Sequence, residues 1–122
     1  MSLTMYLASE YTRQSQHGGE SRIRQVTAYV EANCDTVSLK SMAAHFGYHP
    51  VYLSRLLPEK TGKTFSVLLL TARMQRARLL DRTDLSIEKI AAMLGYSNSS
   101  NFYKAFKRYY GFSPREYWQE AN

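Results

Sequence analysis

Cysteine is almost missing from this 122-residue chain, since Cys34 is the only one. One thiol cannot form a disulfide within the chain, and we expect Cys34 to be a small apolar side chain of a helix in a reducing cytoplasm. No apolar run approaches the roughly 20 residues that a helix needs to cross a bilayer. The N-terminus also lacks the apolar core of a secretory signal. These absences predict a cytoplasmic protein that does not enter a membrane.

Strand patterns are also missing after residue 20. No window there alternates apolar and polar residues over the roughly four to eight positions that a strand needs. Glycines stand where predicted helices stop, at Gly47, Gly62, Gly95 and Gly111. Hydroxyl side chains stand where helices start, at Ser38, Thr64, Ser86 and Ser113. Pro114 and Glu116 complete a capping box after Ser113. The sequence therefore predicts an all-α chain.

Acidic residues are scarce in the central part of the chain. Residues 39–115 carry thirteen lysines and arginines against four acids, whereas residues 1–38 carry a net charge of −1. The whole chain has a formal net charge of +6. A basic excess over one segment is typical of a surface that binds a polyanion. Charge alone leaves open a basic surface that has no partner.

An internal repeat organises the basic segment. Residues 38–62, SLKSMAAHFGYHPVYLSRLLPEKTG, align with residues 86–111, SIEKIAAMLGYSNSSNFYKAFKRYYG. Each copy has an apolar stripe of helical period, a glycine that permits a tight turn, and a second apolar helix. The small residue of each stripe, Ala43 or Ala91, allows two helices to cross steeply. Two copies at matched spacing predict two helix-turn-helix units joined by a long helix over residues 65–82.

Aromatic residues and cations are interleaved in GYSNSSNFYKAFKRYYGFSPREYW, residues 95–118. This pattern fits either bases stacked on exposed rings or a helix with two separate faces. A helical wheel places on the core side Phe102, Ala105, Phe106 and Tyr109. It places on the opposite side Ser100, Lys104, Lys107 and Arg108. Between the two sides lie Tyr103 and Tyr110. Separate faces favour a recognition helix over a platform for single strands.

These features together resemble the DNA-binding domain of the AraC/XylS transcriptional regulators, over residues 21–118. The resemblance rests on the two helix-turn-helix copies, on RMQRARLL between them, and on SNFYKAFKRYYGFSPREY at the end. It implies an all-α fold of about seven helices, in which a long central helix joins two helix-turn-helix lobes. The implied units are an N-terminal tail and linker (1–20), a first lobe (21–63), a linker helix (64–83) and a second lobe (84–122).

The resemblance also implies which residues meet DNA. The base-facing positions are Val51, Ser54 and Arg55 in the first copy and Ser99, Ser100, Asn101, Tyr103 and Lys104 in the second. Asparagine pairs with adenine, arginine or lysine with guanine, and valine contacts a thymine methyl group. The residues expected at phosphates are Lys107 and Arg108. In the linker helix we expect Arg73 to connect the lobes, and we expect solvated side chains at Arg76, Arg78 and Arg82.

The first copy departs from the family pattern at two positions. His49 stands where the family usually has a serine cap, and Pro58 replaces a basic residue. Proline lacks an N–H and clashes with the preceding turn, so we expect this helix to bend or end near Leu57. The first lobe would also lose a phosphate contact. The second lobe would then dominate the affinity for DNA.

The resemblance implies double-stranded DNA as the partner. It also allows RNA polymerase as a second partner. A small-molecule effector would bind to a separate N-terminal domain, whose end we expect in residues 1–20. A complete, stand-alone regulator is the alternative within the family. A helical protein-interaction adaptor with a basic face and an RNA-binding module are alternatives from other classes. The two matched copies favour a regulator that binds duplex DNA in successive major grooves.

No enzyme, metal site or cofactor is expected. TGKT at residues 61–64 resembles a phosphate-binding loop, but Leu57 stands where its first glycine is required. His45 and His49 have the spacing of two metal ligands on a helix, but Gly47 lies between them in the predicted turn. No arrangement of serine, histidine and carboxylates is typical of a catalytic site.

Overall fold

The computed structural model describes residues 21–80 and 83–121, and all regular secondary structure within these ranges is helical. The first helices are α1 (residues 21–32), α2 (Leu39–Phe46), α3 (Pro50–Thr61) and α4 (Phe65–Leu80). They are followed by α5 (Ile87–Met93), α6 (Ser99–Tyr110) and α7 (Pro114–Ala121). The prediction of an all-α fold with about seven helices is confirmed. The tail and linker predicted in residues 1–20 lie outside the described residues.

Polar side chains start the helices at the predicted positions. Backbone N–H groups in the first turns of α2, α4, α5 and α7 donate to the hydroxyls of Ser38, Thr64, Ser86 and Ser113. The capping box of α7 is complete, because the N–H of Ser113 donates to Oε1 of Glu116 at 2.8 Å. In return, the N–H of Glu116 donates to Oγ of Ser113 at 3.1 Å. These local bonds fix where the helices begin.

Of the two outcomes expected at Pro58, an end of the helix near Leu57 is wrong, and a bend there stays a prediction. α3 continues through Pro58 to Thr61, and the N–H of Gly62 closes it by donating to the Pro58 carbonyl at 2.8 Å. The proline removes one N–H from the last turns, but Leu57 is fully buried and holds the helix against the core. The cap at the other end is also intact, because Nδ1 of His49 accepts from the N–H of Val51 at 3.2 Å.

Two clusters of buried apolar side chains form the core. The first cluster consists of Ile23, Val26, Val30, Cys34, Val37, Met42, Ala43, Leu53, Leu57 and Ala72. The second cluster consists of Met74, Ala77, Ile90, Ala91, Leu94, Phe102 and Phe106. α4 contributes to both, and its 16 residues span about 24 Å. A long central helix therefore joins the two helix-turn-helix units, as predicted.

Cys34 is buried in the first cluster, as expected for an apolar side chain, and burial raises the pKa of its thiol. It lies in the turn after α1, however, and not in the helix.

The aromatic core of α6 differs from the prediction at one position. Phe102 and Phe106 are fully buried, but Tyr109 is 39% exposed. Tyr110 packs against the core instead, with its ring centroid 4.7 Å from that of Phe106. Its hydroxyl donates to the carbonyl of Met74 in α4 at 2.9 Å. The prediction that Tyr109 belongs to the core is wrong, because α4 lies on the side of α6 that Tyr110 faces.

A small group of residues, which we call the junction, connects the two clusters directly: Cys34, Asp35, Arg73, Gly95 and Tyr96. Nε of Arg73 donates to the Cys34 carbonyl at 2.7 Å, and the guanidinium lies 4.9 Å from the ring centroid of Tyr96. Gly95 has a φ of +96° and lies against the Asp35 carbonyl and the Arg73 guanidinium. Arg73 thus connects the two helix-turn-helix units, as expected.

Replacing Gly95 by alanine is expected to destabilise the protein more than the same change at Gly47. Both glycines have positive φ, so each alanine costs about 1–2 kcal/mol. A Cβ at Gly47 meets no atom within 4 Å, whereas a Cβ at Gly95 collides with the Asp35 carbonyl oxygen and comes within 2.8 Å of the Arg73 guanidinium. Urea unfolding monitored by circular dichroism measures both free energies. Equal losses in the two variants would contradict the tight contact at the junction.

The capping box of α7 is expected to add a pH-dependent term to stability. The N–H and the side chain of Ser113 lower the pKa of Glu116. Because this pKa is lower in the folded chain, the stabilisation is complete above the unfolded-state pKa and is lost as the pH falls through the folded-state pKa. Between about pH 5 and pH 3, Glu116→Gln should therefore lose less unfolding free energy than the wild type. Urea titrations at several pH values test this. The exposed Glu59→Gln is the control, and parallel pH profiles for Glu116→Gln and the wild type would refute the prediction.

Candidate nucleic-acid interface

α6 carries a polar, basic face opposite its buried aromatic side chains. Its exposed polar and charged residues include Ser100, Asn101, Lys104, Lys107 and Arg108. The helix contains three cations and no acid. Phe102 and Phe106, on the other side, fix it to the second cluster. The core thus holds α6 in place while its basic face is open to solvent.

The structure brings the five predicted base-facing residues of the second copy to the first turns of α6. Ser100, Asn101 and Lys104 are exposed, whereas Ser99 and Tyr103 are half-buried. Tyr103 packs against the second cluster, so part of its ring is unavailable to a ligand. The side chains of the second copy with the most accessible surface are therefore Ser100, Asn101 and Lys104.

Asn98, which the sequence analysis did not single out, caps α6. Its Oδ1 accepts from the N–H of Asn101 at 2.8 Å. The side-chain amide of Asn101 makes one long bond, donating from Nδ2 to Oγ of Ser97 at 3.4 Å. A bond of this length is weak, so the amide is free to change partners. The signal that was missed is an asparagine immediately before the helical pattern.

The corresponding face of α3 is exposed but less basic. Val51, Ser54 and Arg55 all lie on the surface, and Val51 is 55% exposed. The hydroxyl of Ser54 donates to the Val51 carbonyl at 2.7 Å, so its proton is already engaged. α3 contains two cations and one acid, Glu59, against three cations in α6. The two second helices thus share a position in the fold but differ in charge.

Tyr52 is a further exposed residue of this face that the sequence analysis missed. It is 53% exposed, and its ring centroid lies 5.6 Å from that of Tyr48. Arg22 supports Tyr48 from α1, because Nε of Arg22 donates to the Tyr48 hydroxyl at 3.1 Å. The repeat contained the signal: pairing Leu53 with Phe102 places Tyr52 opposite Asn101.

Two arginines of α4 that were expected to be solvated contact neighbouring helices. Nη2 of Arg76 donates to the Glu31 carbonyl at 3.0 Å, which connects α4 to α1. Nε of Arg78 donates to the Tyr117 hydroxyl at 3.3 Å, and its guanidinium lies 5.5 Å from the centre of that ring. Arg78 is exposed, as expected, although it also contacts a ring, whereas Arg76 is half-buried and is not a freely solvated side chain. Arg82 lies outside the described residues.

The part of the chain that the structure describes holds no group of three histidine, cysteine or acidic side chains arranged for a metal ion. His45 and His49 have separate roles, since His45 stacks on Tyr29 at 4.4 Å between ring centroids and His49 caps α3. Within the same residues, every helix is too short or too polar to span a membrane.

Known sequences agree with this architecture. Residues 42–120 match the family described as a helix-turn-helix domain. The chain is 34% identical over 105 residues to the regulatory protein PocR of Salmonella typhimurium, which covers 84% of this chain and 35% of PocR. The chain therefore spans about a third of the length of this curated relative.

Solved structures agree as well. The C-terminal domain of AraT, a response regulator from Geobacillus stearothermophilus, superimposes with a TM-score of 0.76 at 34% identity, over 80% of this chain and 84% of that one. A regulator from Chromobacterium violaceum, described as having an AraC-type DNA-binding domain, superimposes with a TM-score of 0.73 at 28% identity, over 81% and 90% of the two chains. The chain belongs to the AraC-type helix-turn-helix family, the DNA-binding domains of transcriptional regulators.

Proposed function

We propose that this chain reads a specific sequence of double-stranded DNA by placing α3 and α6 in successive major grooves. The observation that carries the proposal is the equivalent position of these two helices. Each is the second helix of a matched pair, is anchored in the core by buried apolar residues, and exposes its polar face. A helix held in this way can enter the major groove without unfolding its support.

The length of α4 supports a single chain that reads both grooves. α4 spans about 24 Å, and the widths of the units on either side bring α3 and α6 towards the ~34 Å between major grooves one turn apart. Any remaining mismatch is taken up by bending of the DNA. We propose the lobes at residues 21–63 and 84–122, with residues 64–83 as the connection.

The proposed base contacts follow from exposure and chemistry. In α3, Arg55 pairs with guanine and Val51 contacts a thymine methyl group, while Ser54 offers an acceptor. In α6, Asn101 pairs with adenine and Lys104 reaches guanine. Smaller contributions come from Ser99, Ser100 and Tyr103.

Phosphate contacts are proposed to come mainly from the second unit. Lys107 and Arg108 in α6 stand opposite Pro58 and Glu59 in α3, so the first unit lacks two cations at the equivalent positions. Lysine and arginine that neutralise phosphates supply sequence-independent affinity. We therefore propose that α6 supplies most of the electrostatic affinity for DNA. α3 contributes more to sequence specificity than to affinity.

The complete regulator is proposed to do more than this domain. Relatives that are named as regulatory proteins or transcriptional regulators, and that are longer than this chain, support a role in transcription. We propose that a separate domain senses a small-molecule effector and that the DNA-bound protein contacts RNA polymerase in the cytoplasm. This role is binding and not catalysis. The alternative, a protein-interaction adaptor, uses the same basic face of α6 on an acidic partner.

Selection from a random duplex pool at two salt concentrations is expected to enrich two short motifs about one helical turn apart. The affinity should fall steeply as salt rises, because phosphate contacts release counterions. Sequencing of the bound fraction and titration of the winning duplex measure both effects. Binding without an enriched motif would reduce the chain to a non-specific polyanion binder. If no duplex binds, the adaptor function is favoured.

Lys104→Ala and Lys107→Ala are expected to distinguish a base contact from a phosphate contact. Loss of a base contact at Lys104 should cost about 1–3 kcal/mol on the selected site and relax the preference at one base pair. Loss of a phosphate contact at Lys107 should weaken all duplexes alike and reduce the salt slope by about 1. Each variant removes one positive charge from α6, so each controls for the other. Identical effects of the two changes on specificity would contradict the assigned roles.

A further inference from the structure

We propose that Arg73 is a positioning residue that sets the spacing between the two DNA half-sites by holding α3 and α6 at one separation. This inference rests on the function proposed above. It assigns no DNA contact to Arg73. The residue acts through the junction, where it binds parts of the chain that belong to different helix-turn-helix units.

Arg73 lies at the point of α4 where the two clusters meet. Ala72 belongs to the first cluster and Met74 to the second, so the side chain between them can reach both. Arg73 does so, with a hydrogen bond to the Cys34 carbonyl at 2.7 Å and a guanidinium 4.9 Å from the Tyr96 ring centroid. One planar group thus links the turn after α1 to the turn between α5 and α6.

The bond that Arg73 makes is directional, unlike the apolar contacts around it. Each unit packs on α4 through buried side chains, and such packing has little directional preference. A charged donor strengthens the hydrogen bond to a carbonyl, and the rigid fork of arginine fixes its angle. Burial raises the pKa of the Tyr96 hydroxyl while the positive charge of Arg73 lowers it, in agreement with their close approach.

Gly95 allows the turn between α5 and α6 to approach Arg73 and the turn after α1 closely. It lies against the Asp35 carbonyl and the Arg73 guanidinium, so no side chain separates the two turns. The turn that contains Gly95 and Tyr96 leads directly into α6. A shift of the junction therefore moves the first turns of α6, which carry the proposed reading residues Asn101 and Lys104.

Arg76 provides a matched control on the same helix. Like Arg73, it is half-buried and donates to a backbone carbonyl, that of Glu31 at 3.0 Å. Glu31 belongs to α1, and no contact of Arg76 with Tyr96 is observed in the described part of the chain. Arg76→Met therefore removes the same charge and a similar bond to a carbonyl but leaves the contacts of Arg73 with Cys34 and Tyr96 in place.

The first test measures the affinity for duplexes in which the two selected motifs are moved apart or together by one or two base pairs. We expect a sharp optimum for the wild type and for Arg76→Met. In Arg73→Met the preference for the optimal spacing over its neighbours should fall by about tenfold, while the affinity for one isolated motif stays unchanged. Arg73→Lys keeps the charge and should show most of the same loss, because its ammonium lacks the fork. A sharp optimum retained in both Arg73 variants would overturn the proposal.

The second test does not use DNA. Spin labels at Lys40→Cys and Lys89→Cys, exposed positions in α2 and α5, report the distance between the units. The background carries Cys34→Ala, which removes the native thiol but keeps the carbonyl that Arg73 binds. The distance distribution should be narrow in the wild type and in Arg76→Met and broader in Arg73→Met and Arg73→Lys. Circular dichroism shows which of the two Arg73 variants are folded, and the distances are compared for those variants only.

The two tests separate the two proposals. If the wild type selects no DNA motif but its distance distribution broadens on loss of Arg73, the proposed function fails and the junction stands as a positioning device. If motifs are selected but distances and spacing preference are unchanged in the Arg73 variants, the function stands and the positioning role is overturned.

Discussion

The described structure depends on one constraint, namely that α4 must bury side chains in two separate clusters. Ala72 packs in the first cluster, and Met74 and Ala77 pack in the second. A helix with one apolar stripe can serve one core, so α4 is apolar on more than one side and carries its cations between the buried positions. The arginines of α4 lie among these buried positions, and they bind carbonyls and aromatic rings of the neighbouring helices. These arginines contact neighbouring helices because α4 is packed on more than one side.

Much of this fold could be predicted from the sequence because its signals are local. The cap at Ser113, the glycines at the turns and the apolar stripes of the two copies each depend on residues a few positions apart. Local signals could not show whether Tyr109 or Tyr110 is the last core residue of α6, because both lie at the edge of the apolar stripe. The choice was made by the Met74 carbonyl, 36 residues away in the chain, which accepts from the Tyr110 hydroxyl.

The position of the candidate site could also be predicted from local signals, but the state of some of its side chains could not. The exposed faces of α3 and α6 follow from helical periodicity, and the structure places the expected residues on them. The half-burial of Tyr103 and the engaged hydroxyl of Ser54 depend on packing and on a local hydrogen bond, which periodicity does not reveal. α3 does not end at Pro58, because the fully buried Leu57 beside it holds the helix against the core. Tertiary packing overrode the local preference at this position.

The left-handed glycine of the two turns shows how far the copies have diverged. Gly47 and Gly95 occupy the same position of the repeat and both have positive φ, but only at Gly95 would a Cβ collide with another part of the chain. The first turn has room at Gly47 and contacts α1 instead, where Arg22 donates to the Phe46 carbonyl and to the Tyr48 hydroxyl. The second is at once a turn and a docking face, shaped to one carbonyl of its neighbour. The repeated Gly-Tyr turn thus receives an arginine in both copies, Arg22 of α1 on Tyr48 and Arg73 of α4 on Tyr96, and only the second contact crosses from one unit to the other.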